Sequence, residues 1–248
     1  MARNMVMEKK VSKSALARSL GISRSSLYYV PKQIVKDINL REKILETLDE
    51  HPAYGHKRIA LNLGIGKNRA LRVMAKFGIR PHILRKTLKY GRKTSIYLAT
   101  VIDRFTREVI SWQIGLHHTT QLVIDVLEDA LKKRTSKPQI FHSDQGSEYT
   151  SNICLEWIVK HKILPSHSPK SKPWNNGHQE SFYGKFKLEF GKPSRHQTIE
   201  LLIEAIGRHI HYYNTRRIHS ALKMPPRVFY EKEVQRLENM KKSEQEGV

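Results

Sequence analysis

Apolar residues along this chain recur at two spacings, and the change between them divides it. Near the start, Ala15, Leu16 and Leu20 form a helical stripe that Gly21 breaks. Ser23 can cap a second helix carrying Leu27, and Ala17 is small where the two helices would cross. This is a helix-turn-helix pattern over residues 1–32, although an ordinary helical hairpin gives the same letters. Leu40, Ile44, Leu45 and Leu48 predict a helix over residues 38–49. Two more, over 57–63 and 67–77, flank Gly64-Ile65-Gly66 and make a second helical module within residues 33–83. The spacing then shortens. Residues 95–102 and 108–114 are β-rich runs joined by Asp103-Arg104-Phe105-Thr106-Arg107, which predicts a hairpin. A helix capped by Thr119 or Thr120 runs to about Arg134, with Leu122, Val123, Val126, Leu127, Ala130 and Leu131 as its stripe. A short buried strand is expected at residues 139–141, a helix at 151–161 and another short strand at Ile163-Leu164. The proline- and lysine-bearing residues 168–176 look like a mobile loop, followed by a helix that opens near Glu180. A further amphipathic helix covers 198–213, after which Pro225 and Pro226 stop any helix; the tail from Glu231 is a charged helix or disorder. Strands mixed with helices of these lengths indicate an α/β layer fold behind all-helical modules.

Charge changes the picture next. Lysine and arginine number 45 against 23 acidic residues, a formal net charge of +22. A polyanion is the economical partner for that excess, and nucleic acid is the commonest. Residues 51–102 hold twelve Lys or Arg and no Asp or Glu. A solvated face normally mixes signs, so the run reads as an electrostatic footprint. Lys67, Arg69, Arg72 and Lys76 decorate the second helix of that module. In the first module, Ser23, Arg24, Ser25 and Ser26 suit phosphates and base edges. One cysteine, Cys154, excludes a disulfide within the chain and leaves a zinc site without its sulfurs. No apolar run approaches the roughly 18 residues of a membrane span, and no signal peptide is visible, so a cytoplasmic, nucleoid-associated protein is expected.

Within this frame two carboxylates stand out. The run at 139–141 ends in Ser143-Asp144-Gln145-Gly146, which puts Asp144 at a strand tip. Thirty-five residues separate it from Glu180, in the first turn of a helix started by Asn175-Asn176-Gly177. Glu180, Tyr183, Gly184 and Lys187 share one face of that helix. Taken singly, an Asp before Gln-Gly is a turn residue and a first-turn Glu is a dipole partner. Together they can hold a hard cation such as magnesium, which takes few carboxylates and completes its shell with water and phosphate oxygen. Lys187 would then face a phosphate backbone.

The same letters resemble a family. His142-Ser143-Asp144-Gln145-Gly146-Ser147-Glu148-Tyr149 is similar to the second-aspartate motif of the DDE transposases of bacterial insertion sequences, the orfB type related to retroviral integrases. Trp174-Asn175-Asn176-Gly177 with Glu180-Ser181-Phe182 resembles that family's glutamate helix at the family's own spacing. Tyr213-Asn214, Arg216, Arg217, His219, Ala221-Leu222 and Pro225 resemble its closing motif, and Tyr54-Gly55 with Lys57-Arg58-Ile59 its upstream helix-turn-helix module. The resemblance implies a ribonuclease-H-like integrase core over residues 95–232, with a linker at 84–94 and a charged tail at 233–248. It further implies magnesium or manganese held by Asp144 and Glu180 as catalytic and metal-binding residues. Double-stranded DNA, both element ends and target, would be gripped by Arg24, Ser25, Lys57, Arg58, Lys67, Arg69, Arg72, Lys187, Arg216, Arg217 and His219. Such proteins cut and join DNA as multimers, so self-association follows as an expectation.

One departure matters. The family's site has three carboxylates, the first on a strand before the YLATVID run, yet no Asp or Glu lies between Glu50 and Asp103. An internal deletion of that strand accounts for the gap. Two-ion phosphodiester chemistry would lose its shared ligand. Asp103 resembles a later aspartate of the family and is a weak substitute. The sheet would also lack its central strand unless residues 84–90, alternating but strongly basic, fill the place. Three functional readings follow: a transposase by descent with impaired catalysis, a DNA-binding remnant that regulates an intact transposase, and a helix-turn-helix regulator with a ligand-sensing domain. The last leaves the Asp144 and Glu180 pair unexplained.

Overall fold

The computed structural model describes residues 12–21, 23–25, 32–81, 96–169 and 173–246. Helix α1 (Lys13–Ser19) is capped by Ser12, whose Oγ accepts from the Ala15 amide. Its partner at 26–31, with Ser26 and Leu27, lies outside the described residues. Helices α2 (Lys32–Glu50), α3 (His56–Asn62) and α4 (Lys67–Lys76) form the second module. Gly64, at φ +63°, turns the chain between α3 and α4. Leu40, Ile44, Ile59, Ala60, Ala70, Val73 and Met74 close its apolar centre. Helix α2 starts earlier than its apolar stripe predicts because a polar anchor extends it. Gln33 donates to Asp37 at 2.7 Å, and the buried Asp37 is gripped by Arg72 and Lys76 of α4.

The core begins with β1 (Tyr97–Ile102) and β2 (Val109–Gly115), an antiparallel hairpin whose register shifts between Val101 and Ile102. Asp103 closes the turn by accepting from the Phe105 and Thr106 amides. Helix α5 (Thr120–Lys133) is capped by Thr119. Strand β3 (Ile140–Ser143), helices α6 (Ser147–Thr150) and α7 (Asn152–Lys160), and β4 (Leu164–His167) follow, with β3 and β4 parallel. The expected burial of β3 does not hold. Ile140 is 57% exposed and its register partner Leu164 is 67% exposed. Helix α8 (Gly177–Phe190) carries Glu180; α9 (Ile199–Thr215) and α10 (Pro226–Glu246) complete the chain. The prolines begin a helix instead of barring one, because Pro226 occupies a first-turn position where no amide is needed. The charged tail is helical to Glu246. Of the supposed loop at 168–176, Pro173–Asn176 forms a 3-10 turn and 170–172 lie outside the described residues.

Two apolar layers sandwich the hairpin, giving the mixed α/β architecture the spacing predicts. On one side Phe182 and Phe186 of α8 and Leu202, Ile206 and Ile210 of α9 pack with Val109. Gly207 lets α9 approach β2, since a Cβ there would lie 3.2 Å from the Trp112 ring. On the other side Val123 and Leu127 of α5 meet Cys154 and Ile158 of α7. Among the described residues the strands form two separate pairs. Side chains of α8 cover the open edge of β1: Tyr183 donates to the Leu98 carbonyl at 2.6 Å and Gln179 to that of Thr100 at 3.3 Å. The stretch 84–90 lies outside the described residues.

Candidate active site and basic seam

Asp144 follows β3 directly and is exposed, its Oδ1 accepting from the Gly146 amide at 3.0 Å in an Asx turn. Hydroxyl–imidazole bonds fix the strand behind it. Both ring nitrogens of His142 meet Ser166 and Ser168, and Ser143 meets His167, each at 3.0 Å. The neighbouring Glu148 is buried, 3.0 Å from His118 Nε2. It folds so tightly against Gly146 that a Cβ there would collide with its carboxylate. Glu180 lies exposed in the first turn of α8, where the helix dipole favours a carboxylate. The Tyr149 hydroxyl behind the tip has its pKa raised first of all by burial, then by Tyr183, Glu148 and Asp144.

The donor set is sparse. Among the described residues no group of three or more His, Cys, Asp or Glu is placed to hold a metal ion. Asp103 does not supply the third carboxylate. Its Oδ1 is bonded within the hairpin turn and its Oδ2 lies 4.0 Å from Arg134. Two exposed carboxylates suit one largely hydrated ion and not a two-ion clamp.

The residues assigned to DNA differ in what they do in the fold. Arg24, Ser25, Lys57, Lys67, Arg69, Lys187 and Arg216 are exposed. Four others have structural work. Arg72 forks onto Asp37, holding that carboxyl well below its usual range. Arg58 is largely buried, 3.6 Å from Glu189. Arg217 is 1% exposed and grips both oxygens of Glu189, at 2.6 Å and 2.8 Å. His219 is neutral at pH 7: burial, then Lys185, Arg217, Arg107 and Arg58, holds its pKa at about 4. Arg58, Arg72 and Arg217 are each paired to a carboxylate of the protein, and His219 carries no charge at pH 7.

The closing motif is instead a clasp that ties the helical module to the core. Asn214 accepts from the Val109 amide and donates to its carbonyl, at 3.0 and 2.9 Å, and Tyr213 donates to the Arg107 carbonyl. From the module side, Tyr54 Oη accepts from the Ile218 amide at 2.7 Å, and His51 Nδ1 meets Tyr212 Oη at 2.9 Å. Ile218 itself packs in the module's apolar centre. Tyr54, Glu189 and Asn214 have no spacing signal in the sequence, because their partners are more than a hundred residues away or lie across a helix end.

Residues 83–173 match one integrase core domain family and residues 161–226 match another of the same description, together spanning more than half of the chain. The chain is 27% identical to the transposase InsK for insertion sequence element IS150 of Escherichia coli K12, over 84% of this chain and 89% of that protein. It is 34% identical to the transposase for insertion sequence element IS904 of Lactococcus lactis. The chain belongs to the integrase-core family of bacterial insertion-sequence transposases of the orfB type. The IS904 match spans about half of each protein (53%). Among solved structures, the HTLV-2 integrase catalytic core in complex with magnesium aligns at a TM-score of 0.43 and 16% identity, over 54% of this chain and 91% of that one.

Proposed function

We propose that this transposase-family protein binds the ends of its element as double-stranded DNA, acting as a multimer in the cytoplasm at the nucleoid, and that its strand-transfer chemistry is impaired. The observation that carries the reading is the isolated carboxylate pair beside an intact basic surface. Asp144 at the β3 tip and Glu180 in the first turn of α8 are both exposed, with no group of three or more metal-ligating side chains among the described residues and no acidic residue between Glu50 and Asp103. When bound, one magnesium or manganese ion would supply charge for a phosphodiester oxygen, held by these two carboxylates. Lys187, two turns along α8 from Glu180, is exposed to hold the DNA backbone. Lys57, Lys67 and Arg69 extend that grip along the helical module, and Arg24 and Ser25 precede it.

The test is magnesium- and manganese-dependent nicking of a supercoiled plasmid carrying the element ends, with Glu180→Gln as control. The expected result is end binding with severely reduced but detectable cleavage. Robust cleavage that Glu180→Gln abolishes would overturn the impairment and assign a working site without the usual first Asp. Retained DNA binding with no cleavage favours the second reading, a remnant that occupies element ends and regulates an intact transposase.

A further inference from the structure

We propose that the seam between the helical module and the core is a phosphate-binding seat, built by Arg58, Arg107, Lys185 and His219 around the Arg217–Glu189 pair. These side chains come from separated parts of the chain. Arg58 lies on α3, Arg107 ends the hairpin turn, Lys185 precedes Glu189 by one turn on α8, and Arg217 and His219 follow α9. Contacts join them. Arg58 and Arg217 share Glu189, Arg217 lies 5.5 Å over the Tyr213 ring, and Tyr213 holds the Arg107 carbonyl. Two cations, Arg58 and Arg217, thus share the single carboxylate Glu189, while Arg107 and Lys185 have no ion pair with an acidic group among the described residues.

Three donor-bearing atoms here are buried without a hydrogen-bond partner: Arg58 Nε, Arg107 Nη1 and His219 Nδ1. Buried polar nitrogens are nearly always bonded, and like charges gathered out of water repel. Lys185 responds as expected, its pKa lowered by burial and by Arg217 and Arg58. A tetrahedral oxyanion answers all of these defects. It accepts several N–H bonds at once and balances the surplus charge, as guanidinium and ammonium groups do around phosphate. A neutral His219 still donates one N–H. Arg58, Arg107, Lys185 and His219 are each part-buried, at the edge of the seam and not sealed within it. The chemistry is a phosphate, either of the DNA backbone or free. The DNA source rests on the end-binding reading above; the free-anion source does not.

The first arm is thermal melting of the full chain in inorganic phosphate against chloride at matched ionic strength. Wild type should gain about 4 °C when phosphate is roughly ten times its Kd. Lys185→Met should lose that gain while melting no lower than wild type in chloride, since removing a crowded cation relieves repulsion. Arg107→Gln serves as the second variant. The second arm measures end-DNA affinity against salt. A DNA phosphate in the seat predicts that Lys185→Met flattens the log–log slope by about 0.9; an unchanged slope with the phosphate gain present assigns the seat to a free anion. No phosphate gain and no change of slope would overturn the proposal. Absence of plasmid cleavage leaves both arms readable, so the seat and the cleavage reading fail separately.

Discussion

The clasp at 212–219 and the tip at 144–146 both carry letters of a transposase motif, yet they are physically opposite. In the clasp, Arg217 is 1% exposed and bonded through two nitrogens to Glu189, and Asn214 satisfies both backbone groups of Val109. At the tip, Asp144 is exposed and accepts from the Gly146 amide of its own turn, and Glu180 lies exposed in the first turn of α8. The clasp is therefore under the constraint of folding, since Tyr213, Asn214 and Arg217 each have a partner that loses by their removal. The tip is under a weaker constraint, since Asp144 serves only its own turn and Glu180 the start of its helix. A basic residue in a motif is thus no guide to DNA contact until its burial is known.

The largest effect should come from breaking the clasp. Arg217→Met strands Glu189 in the seam with Arg58 alone, at 3.6 Å. Removing one partner of a buried pair costs about 3–5 kcal/mol, so melting should fall by about 10 °C. Asp144→Asn and Glu180→Gln should each stay within about 0.5 kcal/mol of wild type, as surface substitutions do. Paired melting curves check both halves. A mild Arg217→Met, or a tip variant that unfolds the protein, would erase the contrast.

Smaller losses should come from single bonds across the same seam. Tyr54→Phe leaves the buried Ile218 amide without its 2.7 Å acceptor, and Asn214→Leu leaves both polar groups of Val109 unpaired. Each should cost about 1–3 kcal/mol in denaturant unfolding, with Asn214→Leu the larger.

These residues also mark where the sequence becomes illegible. Periodicity finds the helices at Thr120–Lys133 and Ile199–Thr215 and the hairpin, because stripe, cap and turn are local properties. It places Asp144 at a strand tip and Glu180 in a first helical turn, where the structure has them. It overstates the burial of β3, since a short apolar run does not reveal which neighbour is absent. It places Arg58, Arg72, Arg217 and His219 on DNA because charge is visible in letters, whereas the carboxylates Asp37 and Glu189 that claim the arginines are found only in space. The start of α10 at Pro226 shows the same limit. A proline forbids continuation of a helix but suits its first turn, and only the chain direction decides between the two.

The two separate strand pairs among the described residues sharpen the comparison from the other side. Hydrogen exchange should be faster in β1, whose open edge is met by the Tyr183 and Gln179 side chains, than in the paired amides of β2. Inserting the family's Asp-bearing strand upstream of residue 95 should displace those side chains, join the two strand pairs and restore metal-dependent nicking. A lengthened protein that is equally inert would show that the loss lies elsewhere.

Acid should act mainly on the clasp, with the smallest effect. Burial depresses the pKa of His51, His209 and His219, the last to about 4, against an ordinary value of 6.5. The folded state favours the neutral rings, so between pH 6.5 and 4 the unfolded chain binds more protons. Stability is then complete above about pH 6.5 and falls as pH drops toward 4. Asp37 contributes in the same sense but lower down: its carboxyl, held far below 3.8 by Arg72 and Lys76, stabilises above that value and loses its contribution only beneath it. His142 and His178, nearer the tip, are also depressed, so wild-type melting alone mixes the two regions. His219→Gln separates them. It keeps an amide donor near the seam but removes the most strongly shifted proton site, and should flatten the decline between pH 6 and pH 4.5 relative to wild type. An unchanged slope would place the acid sensitivity at the tip and its histidines instead.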